Sequence, residues 1–324
     1  MSDENSTPPN SPSARQSEGW ERQVITQLAL EGLREQKIAR RWRIVMFFLV
    51  ITLLFLSLVG PYLISATSKG TIGKHTALVD LSGVIAANSD ASADRIVTGL
   101  RAAFEDENTV GVILRINSPG GSPVQSGYIN DEIERLRGEY PEIPLYAVVM
   151  DICASGGYYV AAAADEIYAD KASIVGSIGV RMDGFGFVEA IDKLGIERRL
   201  LTAGEHKALL DPFLPQGETE KAHMQRLLDA IHTQFIETVK AGRGDRLADN
   251  PEIFSGLVWT GDEALELGLI DGLGSSGYVA REIIGEEKIV DYTPRKSVFD
   301  RFLTNLGASV AKGAIEAATE PSLR

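Results

Sequence analysis

A run of 23 residues without a charged side chain, 44–66, constrains this chain more than any other feature. Its sequence, IVMFFLVITLLFLSLVGPYLISA, would make a helix that is apolar on every face. About 20 such residues span the hydrocarbon core of a bilayer, which is about 30 Å thick. A buried helix of a globular domain is the alternative, but such helices are rarely apolar all round. The run therefore predicts one transmembrane helix.

Basic residues are distributed unequally around this run. Only Lys69 and Lys74 follow it closely. Those that precede it closely are Arg34, Lys37, Arg40, Arg41 and Arg43. Because flanks rich in Lys and Arg stay in the cytoplasm, we expect the N-terminus there and everything after residue 66 outside. A cleavable signal peptide is the competing interpretation, but its apolar region would be shorter and LISATSKG is a poor cleavage site. We favour an uncleaved single-pass anchor in the inner (cytoplasmic) membrane, with the main domain facing the periplasm.

Composition argues against several classes of function. The formal net charge of −13, with 45 acidic against 32 basic residues, argues against a nucleic-acid-binding surface. Cys153 is the only cysteine, so the sequence offers neither an internal disulfide nor a zinc site of several cysteines. The four histidines show no metal-ligand spacing. We expect neither a metal nor a cofactor.

The residue pattern divides the chain into four regions. Residues 1–43 are a predicted cytoplasmic tail, disordered over 1–18 and then an amphipathic helix. The anchor 44–66 follows, then an extracytoplasmic domain over 67–294 and a weakly amphipathic helical tail over 295–324.

Within the domain, strand-like and helix-like segments alternate. The predicted strands are 76–86, 110–117, 144–151 and 196–203. The predicted helices are 92–105, 123–138, 186–194 and 218–241. Strands separated by helices of this length indicate parallel βα units. The domain is therefore predicted to have an α/β fold with a parallel sheet.

Two glycine-rich segments each follow a predicted strand and precede a helix. The first is INSPGGS, 116–122, with Gly120 and Gly121 in its turn, and the second is ICASGG, with Ser155 and Gly156. Ligands of open α/β sheets bind at the carboxyl ends of the strands. Backbone amides there could converge on one oxyanion beside the serine hydroxyl, as acyl transfer requires. A plain turn for the first segment and a helix N-cap for the serine are the alternatives.

A nucleophilic serine also needs a base. The segment TAGEHKALLDPF offers His206 and Lys207. A lysine acts as a base only when it is uncharged, and the apolar neighbours Leu209, Leu210 and Phe213 would favour that form. An exposed loop without a catalytic role is the alternative for this segment.

Five segments together resemble the short-form signal peptide peptidase (SppA) family and its SohB relatives, which are membrane-bound serine–lysine proteases. They are RINSPGG, ICASGGYYVAAAADEIYAD, GSIGV, TAGEHK and WTGDEALELGLIDGLG. The resemblance covers roughly residues 75–292 and makes 67–294 a serine protease domain. It implies the Clp protease/crotonase fold, a spiral of ββα units, and assembly into homo-oligomeric rings.

The resemblance also implies roles for individual residues. Ser155 would be the nucleophile and Lys207 the general base, with the amides of Gly121 and Gly156, next to Gly120, as the oxyanion hole. In relatives the serine and the lysine meet across a subunit boundary, so active sites are shared around the ring.

The segment SIVGSIGV, 173–180, is the candidate strand edge for an extended apolar peptide. The expected substrate-binding residues within it are Ser177, Ile178, Gly179 and Val180. Cys153 precedes the serine by two residues and is expected to be a core residue.

The expected activity is degradation of cleaved signal peptides or membrane-protein fragments by a membrane-anchored endopeptidase. A regulatory protease that clips a stomatin-like or other membrane partner is the first alternative. After Lys207, HKALLDPF is more like the SohB branch than like the peptidase proper, so the resemblance indicates the chemistry more closely than the substrate. Crotonase-type acyl-CoA chemistry shares the implied fold and oxyanion hole but needs no serine–lysine pair. A catalytically inactive ring scaffold is the third alternative, against which the presence of both Ser155 and Lys207 argues.

Overall fold

The computed structural model describes residues 40–56 and 73–294. These segments belong to separate compact units, and each is described by itself. Residues 40–56 form helix α1, with exposed side chains along its length. Within the described segments, no helix combines the length and apolar character needed to cross a membrane. The predicted span 44–66 continues into residues outside the described segments, and the predicted tails 1–18 and 295–324 lie wholly outside them.

Eight strands of the second segment form one largely parallel sheet. They are β1 His75–Ser82, β2 Thr109–Ser118, β3 Leu145–Ala154, β4 Glu166–Ala169, β5 Ile174–Gly176, β6 Val258–Thr260, β7 Gly272–Leu273 and β8 Ile289–Asp291. The order is β6-β5-β3-β2-β1-β8, and β4 pairs with both β3 and β7 off this path. Only β5 and β6 pair antiparallel within the described sheet.

Strand β3 pairs with two different strands on one of its sides. Its residues 146–148 pair with β4, and its residues 152–154 pair with β5. On the other side β3 pairs with β2. The carboxyl end of β3 therefore lies between β2 and β5, at the edge where parallel sheets bind ligands.

Helices connect these strands. They are α2 Ala93–Phe104, α3 Pro123–Glu139, α4 Gly156–Ala161, α5 Val188–Lys193, α6 Glu218–Arg243, α7 Gly261–Glu266 and α8 Ser276–Tyr278. Local sequence determines where α3 begins: Pro123 stands in its first turn, and the Ser122 hydroxyl accepts a hydrogen bond from the Gln125 N–H. Helix α7 begins with a capping box between Thr260 and Glu263.

The sheet is buried on both faces. Along β1, Val79 and Leu81 belong to the main core cluster, whereas Leu78 packs with Ile113 and Val148 in a second cluster. Successive residues of a strand point to opposite faces, so a strand covered on both sides must be apolar throughout. This burial explains why the first three predicted strands are mostly apolar; the charged residues Asp80 of β1 and Arg115 of β2 pair with each other at 3.1 Å.

The predicted α/β fold with a parallel sheet is confirmed, and it is consistent with a Clp protease/crotonase-like arrangement. The predicted strand at 196–203 is wrong, because the segment forms no strand. Its residues are exposed, and Leu201 is 98% exposed. A strand needs a hydrogen-bonding neighbour and a face to bury, and this segment has neither among the described residues.

Candidate active site

Ser155 lies in the sharp turn between β3 and α4. Its backbone has φ 53° and ψ −123°, which residues other than glycine rarely adopt. Such a conformation costs about 1–3 kcal/mol and is typical of a nucleophile held on a strand-to-helix turn. The Ser155 N–H donates to the Gly176 carbonyl at 2.8 Å, and the Ser155 carbonyl accepts from the Tyr159 N–H at 3.0 Å. These two bonds hold the strained turn in place.

The Ser155 hydroxyl does not cap the helix that follows it. Ser155 occupies the N-cap position of α4, but its side chain makes no capping hydrogen bond. The side chain is half-buried, and its oxygen is bonded to no other group in the described part of the chain. The helix-cap alternative therefore does not account for this hydroxyl.

Gly120 packs directly against the serine. A Cβ on Gly120 would lie 2.8 Å from the Ser155 Cβ and 2.7 Å from the Gly156 nitrogen. Gly120 also has φ +94°, which disfavours any side chain. The glycine pair is therefore not a plain turn, because the close approach of β2's end to Ser155 requires it.

The Gly121 nitrogen lies next to Gly156. Ile85 N–H donates to the Gly120 carbonyl at 2.9 Å and Ser122 N–H donates to the Ile85 carbonyl at 2.8 Å, which is a parallel bridge centred on Gly121. In such a bridge the amide of the central residue faces away from the partner strand. The Gly121 nitrogen lies 3.3 Å from the position that a Cβ would take on Gly156.

The amide of Gly156 completes this arrangement. Gly156 is the first residue of α4, so its N–H has no acceptor within the helix. The fully buried Ser126 hydroxyl lies 2.5 Å from the position of a Gly156 Cβ and restricts this position to glycine. Two backbone amides at neighbouring strand ends thus lie beside one serine, an arrangement suited to holding an oxyanion.

Lys207 and His206 lie in an exposed turn. The Lys207 N–H donates to the Gly204 carbonyl at 3.2 Å. The side-chain amine of Lys207 makes no hydrogen bond or ion pair with residues 40–56 or 73–294. Within these residues no hydrogen bond connects Lys207 to Ser155. Leu210 is 45% exposed, so the apolar surroundings expected for the lysine are incomplete in a single chain.

The predicted substrate edge, 173–180, is partly occupied. Strand β5 pairs with β6 over residues 174–176, so that part of the expected edge is covered by the protein itself. Ser177, with φ 53°, donates its N–H to the Leu257 carbonyl at 2.7 Å. Ile178 is buried, while Gly179 and Val180 are half-exposed beyond the end of β5. Only the second half of the predicted edge remains for a peptide.

Two residues near this edge escape sequence reasoning. His232 in α6 lies with its Nε2 3.1 Å from the Ile178 carbonyl oxygen. Trp259 packs against Gly176, and its buried indole N–H has no hydrogen-bond partner within the described residues. The spacing of the histidines was useful only for excluding a metal site. The contacts of His232 and Trp259 join segments that are far apart in sequence, so no local pattern predicts them. The position of Trp259 within the WTGDEAL motif is the one signal that the sequence offers.

The cysteine has a structural explanation. Cys153 is fully buried, as expected of a core residue, and burial raises the pKa of its thiol. Within the described segments, no group of three or more His, Cys, Asp or Glu side chains is placed to hold a metal ion.

Comparison with known proteins assigns the chain to a family. The model of Peptidase family S49 matches residues 139–289. A protein named as a protease in Methanocaldococcus jannaschii is 32% identical over 216 residues, which are 64% of this chain and 68% of that protein. The chain belongs to peptidase family S49. This membership confirms the resemblance to SppA and SohB, and it supports a serine-type protease.

Two further relatives are much longer than the region that matches this chain. The Na(+)/H(+) antiporter NhaA of Brucella melitensis is 44% identical over 220 residues, which are 68% of this chain but 30% of the antiporter. The chloroplastic serine protease SPPA of Arabidopsis thaliana is 31% identical over 183 residues, or 56% of this chain and 27% of that protein. The chain therefore matches less than a third of the length of these two relatives.

Proposed function

We propose that this S49 chain is a membrane-anchored serine–lysine endopeptidase that degrades cleaved signal peptides or membrane-protein fragments. The observation that carries the proposal is the strained Ser155 beside the amides of Gly121 and Gly156. A serine with positive φ at a strand end costs free energy, and a catalytic role accounts for that cost.

The proposed reaction uses the Ser155 oxygen as nucleophile. The neutral amine of Lys207 takes the hydroxyl proton while Oγ attacks the substrate carbonyl carbon. The amides of Gly121 and Gly156 stabilise the resulting oxyanion. When the C–N bond breaks, the lysine ammonium gives its proton to the leaving amine and an ester remains on Ser155. Water then attacks the ester with the lysine again as base, and Oγ recovers its proton.

A second copy of the chain supplies the lysine in this proposal. The arm that leads to Lys207, 181–207, is exposed almost throughout, and α5 within it buries no side chain. Phe185, Leu194 and Leu201 on this arm are 81%, 72% and 98% exposed. Apolar side chains exposed in such number indicate a protein interface. Covering by a neighbouring copy would both bury them and bring the amine of Lys207 to the Ser155 of that copy, in a homo-oligomeric ring with shared sites.

The proposal also includes membrane anchoring and a class of substrate. The uncharged run 44–66 and its basic N-terminal flank support a single-pass anchor in the inner membrane with the protease domain facing the periplasm. A ring with inward-facing sites would admit extended chains and exclude folded proteins. Apolar remnants of signal peptides, released next to the anchor, fit that selection.

The test uses the full-length chain purified in detergent and an unfolded apolar peptide. We expect cleavage by the wild type and a fall in kcat/KM of at least about 10³-fold for both Ser155→Ala and Lys207→Ala, because the members of a catalytic unit fail together. Ser255→Ala, an exposed loop serine, and His206→Ala should stay near the wild-type value. Activity that survives Ser155→Ala would reject the proposal.

The alternatives give different results in the same assay. Cleavage confined to a stomatin-like or other membrane protein, with the unfolded peptide left intact, would favour the regulatory protease. Absence of any cleavage by verified oligomers would favour an inactive scaffold.

A further inference from the structure

The backbone at the end of β5 and just after it is held by three other parts of the chain. The Gly176 carbonyl accepts from Ser155 N–H, the Ser177 N–H donates to the Leu257 carbonyl, and the Ile178 carbonyl lies 3.1 Å from His232 Nε2. A carbonyl oxygen only accepts, so Nε2 carries the proton of this hydrogen bond. This hydrogen bond from His232 therefore connects the segment after β5 to helix α6.

His232 stands at one end of the buried stripe of α6. The buried residues of this helix are Phe235, Val239 and Arg243, and the turns before His232 bury no side chain. His232 is half-buried on the same face, one turn before Phe235. Among the described residues, the hydrogen bond of this side chain is the one to the Ile178 carbonyl, just after β5.

This hydrogen bond lies just beyond the β5–β6 pairing, which ends at Gly176. Gly256 lies beside Gly179, whose Cβ position would be 3.1 Å from the Gly256 Cα. Gly179 and Val180 are half-exposed, and neither makes a backbone hydrogen bond among the described residues. Ser177 has a positive φ, so the direction of the chain after it is not maintained by strand geometry. Fixing the Ile178 carbonyl fixes the peptide plane that leads into Gly179.

We propose that His232 is a positioning residue for the peptide substrate: it orients the Ile178 peptide so that Gly179 and Val180 offer their backbone groups to an extended chain. An extended peptide gains its affinity at such an edge from main-chain hydrogen bonds. Because His232 already occupies the Ile178 carbonyl, the substrate pairs with the residues that follow. This inference rests on the proposed peptidase function and names the part of the chain that binds the substrate backbone.

The test compares His232→Gln with His232→Met. Glutamine can place an N–H donor near the position of Nε2, whereas methionine keeps the length without a donor. We expect His232→Met to raise KM for an extended apolar peptide about tenfold with kcat changed less than about threefold, the scale of one lost hydrogen bond. His232→Gln should restore KM to near the wild-type value. His223→Ala, in an exposed position of the same helix, is the control and should leave KM unchanged.

A small serine-directed acylating probe separates positioning from general damage. The probe needs Ser155 but no extended edge, so His232→Met should react with it at the wild-type rate. An unchanged KM in His232→Met, or an equal loss in both donor and donor-free variants, would overturn the inference while leaving the peptidase intact. A parallel loss of probe labelling would also overturn it and assign His232 a structural role. A wild type that cleaves no peptide would instead reject the proposed function, and this inference with it.

Discussion

At the scale of single residues, the site depends on the absence of a side chain at Gly120. Gly120 has no side chain because the Ser155 Cβ and the Gly156 nitrogen occupy the space that a methyl group would need. The absence of side chains lets two strand ends approach each other and brings backbone amides to the serine. The chemistry therefore depends on glycines as much as on the nucleophile.

Replacing Gly120 by alanine tests this dependence. The new methyl group would lie 2.7–2.8 Å from three groups around Ser155 at a backbone with φ +94°, so the serine or its amides must move. Because displacements of about 1 Å cost about 10²-fold in rate, we expect kcat/KM to fall by at least that factor. Steady-state peptide cleavage measures it, with Gly127→Ala in α3 as the matched control, since no atom lies within 4 Å of the position that its Cβ would take. Equal activity of the two variants would contradict the tight packing around Ser155.

The sequence was sufficient to predict that Ser155 and the three glycines lie close together, because they stand in the turns that follow two neighbouring strands. It was not sufficient to find His232. That contact spans 54 positions, and a lone histidine on a helix carries no local signal of its partner. Residue types at strand ends are predictable in a parallel sheet, whereas contacts between a helix and a loop depend on tertiary packing.

At the scale of elements, α6 is attached to the sheet by a buried ion pair. Arg243 is 1% exposed and donates to both carboxylate oxygens of Asp271, which also accepts from the Ile167 N–H in β4. Burial alone would raise the pKa of Asp271, but these hydrogen bonds and the positive charges of Arg243 and Arg246 outweigh it and lower the pKa. The ion pair attaches the C-terminal end of α6 to the sheet. His232 lies in the same helix, and Ser155 directly follows β3 of the same sheet.

Asp271→Asn should destabilise the domain strongly. Removing one partner leaves a buried guanidinium without its counter-charge, which costs about 3 kcal/mol or more. Urea unfolding of the domain gives this value, and Arg246→Ala, whose side chain is 40% exposed, should cost much less. In the wild type the contribution of Asp271 is complete above its unfolded pKa of about 3.9 and is lost as pH falls further through the lowered folded pKa. Stability of Asp271→Asn equal to the wild type would show that the pair is dispensable.

Elements with a buried face were predictable to within a few residues. Helices α3 and α6 lie at 123–139 and 218–243, close to the predicted 123–138 and 218–241. The segment 196–203 has apolar residues in a strand-like pattern but buries none of them against the described parts of the chain. The periodicity of apolar residues indicates which side chains are suited to burial. It does not indicate whether they pack against another strand of the same chain or against another molecule.

At the scale of the whole molecule, we propose one explanation for the exposed arm and for Lys207, whose side-chain amine has no partner among the described residues. A second copy that covers the arm would hide its apolar side chains and complete the site. Mixing tests this: inactive Ser155→Ala chains and inactive Lys207→Ala chains should regain part of the activity when co-assembled, because some interfaces then contain an intact serine and an intact lysine. Two different affinity tags, one on each variant, and purification on both tags in turn verify the mixed oligomers. No recovery from verified mixed oligomers would mean that each copy uses its own pair.

The central claim is that Ser155 is the nucleophile of a serine peptidase, and intact-protein mass spectrometry after treatment with a fluorophosphonate tests it most directly. We predict a single adduct per chain that peptide mapping places on Ser155, absent from Ser155→Ala and retained in Ser255→Ala. Labelling should also be much slower in Lys207→Ala, because the base that activates the hydroxyl is missing. An adduct on another residue, or equal labelling of Ser155→Ala, would contradict the account.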